Sequence, residues 1–340
     1  MSWATQRERG GVGITRMALW LALRGGRAVS APLVWVATAW FLIVSGGARL
    51  ASRDYLCRVL GRQPGVLDVA RHFHSFALAV LDRVQLLGCR ADGFEIRTEG
   101  IDAVLAVLEE GRGCILLGAH LGSFEVLRRV AMEAPVPVWA LMYRRNAGAL
   151  TPLLDRLAPG LHERVLEIGD TASMIRAREC VARGEIVGIL ADRAPEGIGS
   201  AHRMVRVPFL GGAAAFPSGP FVLASTLAAP VVLFHAVRTG TRRYRVMFVP
   251  FMDRVVLRRS SRAADLRGVV GRYAAALEAA CLAYPYQWFN FFPFWETPAG
   301  EGSNDAEHDV TAPRAAALSS PGLSPPGRRP RPGLVPTGSG

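Results

Sequence analysis

The chain has 340 residues, of which 50% are hydrophobic, and its formal net charge at pH 7 is +12. This length and apolar content predict one substantial domain with a basic surface and a tendency to associate with membranes. Its arginines are dispersed among apolar runs without a zinc-finger or RNA-recognition signature, so a nucleic-acid partner is not expected. The five cysteines form no C-x-x-C pair, which argues for reduced thiols and against a metal site built from them.

An uncharged, apolar stretch lies near the N-terminus. It runs from Ala28 to Ala48 after an arginine-rich segment, and its length matches the roughly 20 residues that cross a bilayer as a helix. Pro32 and the Gly46-Gly47 pair weaken a single straight span. We therefore interpret residues 1–50 as a basic N-terminus followed by a hydrophobic, membrane-associating helical segment. The alternative is a hydrophobic helix pair that packs on the rest of the protein.

The next segment, from about Ser52 to Ile96, is predicted to be helical. His72 and His74 form an H-x-H pair on a predicted helix from Arg71 to Asp82. Two histidines alone do not complete a metal site, and no further ligand lies at a usable spacing. We expect both histidines to be packing or surface groups, with no bound metal.

A histidine and a carboxylate flank the turn after the first predicted strand. Ile115–Leu117 is predicted to be a buried strand and residues 122–132 a helix, with glycines permitting the turn between them. His120 then lies at the C-terminal end of a strand, where α/β sheets bind ligands, and Glu125 lies in the first helical turn. We hypothesise that His120 is a general base oriented by Glu125. The alternative is a strand-end histidine beside an ordinary glutamate at a helix N-terminus.

Later aliphatic runs are predicted to be strands of the same sheet. They alternate with helical patterns, which predicts an α/β fold in which a sheet is flanked by helices. Residues 299–340 are rich in Pro, Gly, Ser and Arg, and we expect a disordered tail without a catalytic role. The predicted strands are Val138–Met142, Arg164–Ile168, Ile186–Ala191, Val231–Val237 and Tyr244–Val249.

Polar residues that follow these strands are candidates for binding substrate. Arg144 and Arg145 can hold an anionic headgroup or the phosphate of a donor, and the alternative is a solvated basic pair. Asp192 and Arg193 follow another strand, and Arg193 can bind a phosphate or stabilise an oxyanion. For these two the alternative is an ion pair that closes a loop. Arg206 is a further candidate for binding phosphate.

Four blocks of sequence resemble the glycerolipid and lysophospholipid acyltransferase superfamily, in the branch of the bacterial lipid A biosynthesis (lauroyl/myristoyl) acyltransferases. They occur in the family's order and spread over roughly residues 50 to 297. The blocks are His120-Leu-Gly-Ser-Phe-Glu125, similar to the H-x4-D/E signature; Gly188–Arg193, a strand ending in Asp-Arg; Val207–Pro220, similar to F-x-G…P-x-G-P; and Tyr284–Phe291, similar to P-x-Q-W. The resemblance implies an acyltransferase α/β domain over residues 51–298.

The resemblance also implies a reaction. A fatty acyl group would move from an acyl carrier protein or coenzyme A thioester to a hydroxyl of a lipid or glycolipid, by direct attack and without a cofactor or metal. His120 and Glu125 would be the catalytic pair. Backbone amides around Gly122, or an arginine, would stabilise the oxyanion. Ser218 and Gly219 would contact substrate, and the alternative for them is a plain turn.

The resemblance implies a bacterial inner-membrane enzyme whose catalytic domain faces the cytoplasm, with the N-terminal segment in or dipping into the inner leaflet. A basic surface suits anionic membrane lipids, a phosphorylated acceptor or an acidic carrier protein, and on charge we favour the carrier protein as donor. Two other functions remain open: a thioesterase or lipid hydrolase, although no G-x-S-x-G elbow occurs, and an inactive membrane scaffold. Gly122-Ser123 stands where many lipid A enzymes have Gly-Asn-Trp, which favours a specialised acceptor such as a polyene-type lipid.

Overall fold

The computed structural model describes residues 26–87, 93–132, 134–142, 164–193 and 204–295. The predicted tail at residues 299–340 lies outside these ranges. The candidate residues Arg144 and Arg145 also lie outside them. All the other candidate site residues fall within the described part of the chain.

Three helices form the first part of the described chain: α1 (Gly26–Val44), α2 (Gly46–Leu60) and α3 (Val66–Leu87). Within the described ranges, no single helix is both long enough and apolar enough to cross a membrane. The pair Pro32–Val44 and Gly46–Leu60 meets that requirement on length and composition, but it is bent by 98°. The interruption predicted at the glycine pair is therefore confirmed.

Helix α1 carries large apolar side chains that are exposed. It also packs on α3: Thr38 Oγ1 lies 3.3 Å from Nδ1 of His74, and the Trp35 ring, although more than half exposed, stacks on the His74 imidazole with 4.0 Å between centroids. His74 is thus a packing group between these two helices, as predicted. The exposed side chains, which we call the α1 face, are Trp35, Val36, Trp40, Phe41 and Ile43.

Seven strands form the main sheet: β1 (Glu95–Glu99), β2 (Cys114–Gly118), β3 (Val138–Met142), β4 (Val165–Glu167), β5 (Ile186–Leu190), β8 (Val231–Gly240) and β9 (Arg243–Met252). Their order in the sheet is β1-β9-β8-β2-β5-β3-β4. Strand β2 pairs in parallel with β5 and β8, and β3 pairs in parallel with β5 and β4. Strand β9 is antiparallel to β8 and parallel to β1. The C-terminal ends of β8, β2, β5, β3 and β4 therefore meet at one edge of the sheet.

Helices pack on both faces of this sheet, and a separate two-stranded hairpin packs against the last helix. The central strand β2 is buried on both faces, because Ile115 and Leu117 enter one hydrophobic cluster and Cys114 and Leu116 enter the other. Burial on both faces explains why this strand is continuously apolar. The remaining elements are α4 (Asp102–Glu109), α5 (Phe124–Ala131), α6 (Thr171–Ala182), β6 (Met204–Phe209), β7 (Gly212–Pro217), α7 (Gly219–Leu227) and α8 (Arg262–Ala283).

The predicted mixed α/β fold is confirmed, and each of the six predicted strands is present. Two features were missed. The sequence predicts helix as far as Ile96 and does not predict strand β1, because the strand's sequence Glu-Ile-Arg-Thr-Glu is polar and mostly exposed. The hairpin β6–β7 was not predicted, because three consecutive alanines in β7 give no strand signal.

Candidate active site

The loop after β2 carries His120 and is held by two neighbouring segments. The Gly122 amide donates to the Gln287 carbonyl at 2.8 Å, and the Ser123 amide donates to the Ala236 carbonyl at 2.8 Å. These two amides are therefore already engaged. The expectation that backbone amides around Gly122 serve as oxyanion donors is not supported for either of them.

Glycine is required at position 122. Its backbone has φ of +76°, which L side chains rarely adopt, and a Cβ there would lie 1.9 Å from the Ala236 carbonyl oxygen. That oxygen belongs to β8 and cannot move away without disturbing the sheet. The tight approach of the loop to β8 thus fixes where His120 leaves the strand.

We expect Gly122→Ala to lower the free energy of unfolding by about 3 kcal/mol or more, since backbone strain and a backbone clash act together. Chemical unfolding of the purified protein measures this loss. The matched control is Gly111→Ala, because Gly111 has φ of +71° but nothing within 4 Å of its would-be Cβ. Equal losses in the two variants would show that the close approach to Ala236 is unimportant.

Asp192 is the hydrogen-bond partner of the His120 ring. Its Oδ1 lies 2.8 Å from Nδ1 of His120, and its Oδ2 accepts the His120 backbone amide at 3.0 Å. The contact follows from sheet register: Gly118 at the end of β2 pairs with Leu190 at the end of β5, so the residues that follow leave the sheet side by side. Neither contact depends on the helix that carries Glu125.

The Asp192 carboxylate is fully buried yet ionised. Burial alone would raise its pKa, but the His120 imidazole, its hydrogen bonds and the charge of Arg193 outweigh burial and hold the pKa of Asp192 well below its usual value. Oδ2 also accepts the indole N–H of Trp288 at 3.0 Å. Three N–H groups therefore stabilise this negative charge in place of water.

This pairing determines the tautomer of His120. An ionised carboxylate only accepts hydrogen bonds, so Nδ1 of the neutral ring carries the proton and donates it to Asp192. Nε2 is then left as the free acceptor. The His120 side chain is 38% exposed, so a reacting group can reach it. The arrangement can accept a proton at Nε2 and stabilise the resulting imidazolium.

Glu125 lies in a different environment from the one predicted. Its Oε1 lies 3.0 Å from Nε of Arg83 on α3, and its Oε2 lies 3.0 Å from Nε of Arg128 on α5. The prediction that Glu125 orients the His120 ring is therefore corrected, since Asp192 bonds Nδ1. The first turn of α5 directs the nearly buried Glu125 carboxylate toward α3, where it joins the two helices.

A comparison with known protein families assigns most of the chain to one family. Residues 39–297, most of the chain, match the family described as bacterial lipid A biosynthesis acyltransferase. The chain belongs to this family. No curated protein matches it. The match covers the loop after β2, the end of β5 and the segment around Trp288, which are the three parts of the acyltransferase that meet at Asp192.

Arg193 is the cationic group nearest to this pair in sequence. In the acyltransferase its guanidinium donates to the Phe289 carbonyl and lies 5.2 Å from the centroid of the Phe292 ring. Its Nε is buried and has no hydrogen-bond partner among the described residues. A buried N–H without a partner is costly, so an acceptor atom brought against this group would be stabilising.

The other predicted substrate-binding residues do not join this cluster through any contact within the described ranges. Arg206 is exposed on β6. The Ser218 carbonyl accepts the amides of Phe221 and Val222 at the start of α7, and Gly219 is the first residue of that helix. Ser218 and Gly219 thus form a helix start. The described residues contain no group of three or more His, Cys, Asp or Glu side chains that could hold a metal.

Two further histidines are buried near the pair. His72 lies between Ser52 Oγ and the Trp288 carbonyl, with 2.9 Å on each side, and was predicted as a packing or surface group. His235 lies on β8, and its Nδ1 has no hydrogen-bond partner among the described residues. Burial lowers the pKa of each to about 4. Both are therefore neutral in the folded acyltransferase at physiological pH.

These pKa values predict a loss of stability in mild acid. Between pH 6.5 and 4 the unfolded chain protonates both histidines while the folded chain does not, so their stabilisation is complete above pH 6.5 and falls as the pH drops toward 4. By pH 5 the loss is about 2 kcal/mol for each histidine. Unfolding curves at pH 7, 6 and 5 measure it. The slope of the unfolding free energy against pH reports how many more protons the unfolded chain binds, and His72→Gln is expected to lower that number by up to one. An unchanged slope in this variant would contradict the assignment.

Proposed function

We propose that this acyltransferase moves a fatty acyl group from a thioester donor to a hydroxyl of a lipid or glycolipid acceptor. The observation that carries the proposal is the 2.8 Å bond between Nδ1 of His120 and the buried, ionised Asp192, which leaves Nε2 as a base beside solvent. Family membership supplies the reaction class. A hydroxyl is a poor nucleophile at neutral pH, so a positioned base is the group that this reaction most needs.

The proposed reaction has two stages. The acceptor hydroxyl gives its proton to Nε2 of His120 as its oxygen attacks the thioester carbonyl, which becomes a tetrahedral oxyanion. The oxyanion then collapses, the carbon–sulfur bond breaks, and the leaving thiolate takes the proton from His120. Asp192 remains ionised throughout and stabilises the imidazolium that exists between the two stages.

Arg193 is proposed to bind the negative charge that develops on the substrate. Support comes from its buried Nε without a partner and from its place directly after Asp192. A guanidinium also suits the phosphate of a phosphopantetheine or coenzyme A donor. Arg144, Arg145 and Arg206 remain proposals for binding the anionic parts of donor or acceptor.

The proposed location is the bacterial inner membrane, with the catalytic domain on the cytoplasmic side. Support comes from the α1 face, whose exposed side chains include two tryptophans of the kind that favour the membrane–water interface. The bent α1–α2 pair suits a segment that enters one leaflet. An acidic carrier protein is the preferred donor, because the net charge of this chain is +12.

A product assay tests this function. Purified wild-type enzyme in detergent is given acyl carrier protein or coenzyme A thioesters together with a total lipid extract that includes lipid A precursors, and the products are analysed by mass spectrometry. We expect an acylated lipid that His120→Ala does not form. Free fatty acid alone would identify a thioesterase instead, and neither product would favour an inactive scaffold. Robust acylation of lipid A precursors would remove the reason to propose a specialised acceptor.

A further inference from the structure

The segment Gln287–Asn290 lies against the loop that carries the candidate base. The Phe289 amide donates to the His120 carbonyl at 3.0 Å, and the Gly122 amide donates to the Gln287 carbonyl at 2.8 Å. These two bonds flank a bridge between Leu121 and Trp288. The loop is thus paired with this segment like one short antiparallel strand with another.

Gln287 fixes the same segment to the sheet. Its side-chain Oε1 accepts the Arg238 amide at 2.7 Å, and its Nε2 donates to the Arg238 carbonyl at 2.8 Å. Both backbone groups of a residue near the end of β8 are therefore bonded to one side chain. The position of the segment is set by β8 and, through it, by the main sheet.

Trp288 is held rigidly within this segment. Its side chain is completely buried, and its ring makes edge contacts with Tyr55, Phe209 and Phe294 at centroid distances of 4.9–5.3 Å. Its carbonyl lies 2.9 Å from Nε2 of the buried His72. With the ring and the carbonyl both fixed, the indole N–H has a single available direction, which is toward Oδ2 of Asp192.

We propose that Trp288 is a positioning residue that acts on the candidate base through Asp192. Its indole N–H holds Oδ2 at 3.0 Å, so that Oδ1 stays on Nδ1 of His120. The N–H also helps a fully buried carboxylate remain ionised. Without it, Oδ2 keeps only the His120 amide, and the carboxylate is free to rotate away from the imidazole. This inference rests on the proposed function of His120.

The test compares Trp288→Phe with Trp295→Phe. Both tryptophans belong to the same aromatic cluster and both donate through Nε1, but Trp295 donates to the Phe209 carbonyl at 3.1 Å and not to Asp192. Because a hydrogen bond to a charged group is lost, we expect Trp288→Phe to lower kcat by about tenfold or more with KM changed less than about twofold. Trp295→Phe is expected to keep kcat within about twofold and to lose less thermal stability, because Trp295 is only partly buried and its bond is to a neutral carbonyl.

A spectroscopic measurement separates this inference from the proposed reaction. In enzyme labelled with ¹⁵N-histidine, the His120 signals, assigned with His120→Asn, report which ring nitrogen carries the proton, without any substrate. We expect the Nδ1–H form in wild type and in Trp295→Phe, and a reduced share of it in Trp288→Phe. An unchanged spectrum in Trp288→Phe, or equal loss of kcat in both variants, would overturn the role of Trp288. If wild type transfers no acyl group, the spectrum still decides the question.

Should Trp288→Phe fail to fold, the N–H can be removed with almost no change of shape. Site-specific incorporation of 3-benzothienylalanine at position 288 replaces the N–H with sulfur and keeps both rings. The same change in the tautomer of His120 is expected. An enzyme carrying this residue with the wild-type spectrum would show that the hydrogen bond to Asp192 positions nothing.

Discussion

Replacing His120 with alanine is expected to lower kcat for acyl transfer by about 10²–10⁴-fold, the contribution of a positioned general base. The acceptor hydroxyl then has no group to take its proton at the moment when it attacks. Donor and acceptor still bind, so the loss falls on kcat and KM changes little. Steady-state kinetics on the detergent-solubilised enzyme, with the donor and acceptor found in the product assay, measure both constants.

Alanine also leaves the buried Asp192 without its Nδ1 donor, which costs stability and complicates the comparison. His120→Asn is the better-matched variant. The asparagine amide nitrogen lies near the position of Nδ1 and still donates to Asp192, but an amide does not accept a proton at neutral pH. We expect this variant to unfold at the wild-type temperature and to be as inactive as His120→Ala. A folded His120→Asn enzyme with more than about a tenth of the wild-type kcat would exclude His120 as the base.

The candidate base could be found from the sequence because its signals are local. An apolar run, a glycine turn and a histidine lie within a few residues of one another, and they predict a polar side chain at the end of a buried strand. Its partner has no local signal. Asp192 is 72 positions away, and its approach depends on the parallel register of β2 and β5. Nearness in sequence favours Glu125 as the partner, but the first turn of α5 directs Glu125 toward Arg83.

The same distinction holds for the rest of the fold. The central strands were predicted because burial on two faces requires continuous apolar runs, as in β2 and β5. Strand β1 lies at the edge of the sheet and pairs there with β9, and its polar sequence carries no sign of that neighbour. The role of Gln287 was likewise hidden, since a side chain that bonds the backbone of Arg238 leaves no periodic pattern.

Replacing Asp192 with asparagine is expected to lower kcat by about 10²–10⁴-fold while His120 remains in place. An amide N–H₂ group beside Nδ1 favours the ring form in which Nδ1 is the acceptor. The ring proton then moves to Nε2, where the proton of the acceptor hydroxyl has to go. The imidazolium also loses its counter-charge, so both the tautomer and the charge that the reaction needs are lost together.

Because His120 and Asp192 act as one unit, the double variant His120→Asn/Asp192→Asn is expected to be no slower than His120→Asn alone. Asp265→Asn is the matched control: Asp265 is also a carboxylate whose pKa is lowered by hydrogen bonds, here chiefly from Arg258 at 2.7 Å, and it lies on α8 with no described contact to His120. Its kcat should equal that of wild type.

If Glu125→Gln, correctly folded, loses more activity than Asp192→Asn, then Glu125 and not Asp192 supports the base during the reaction, despite its two arginine partners.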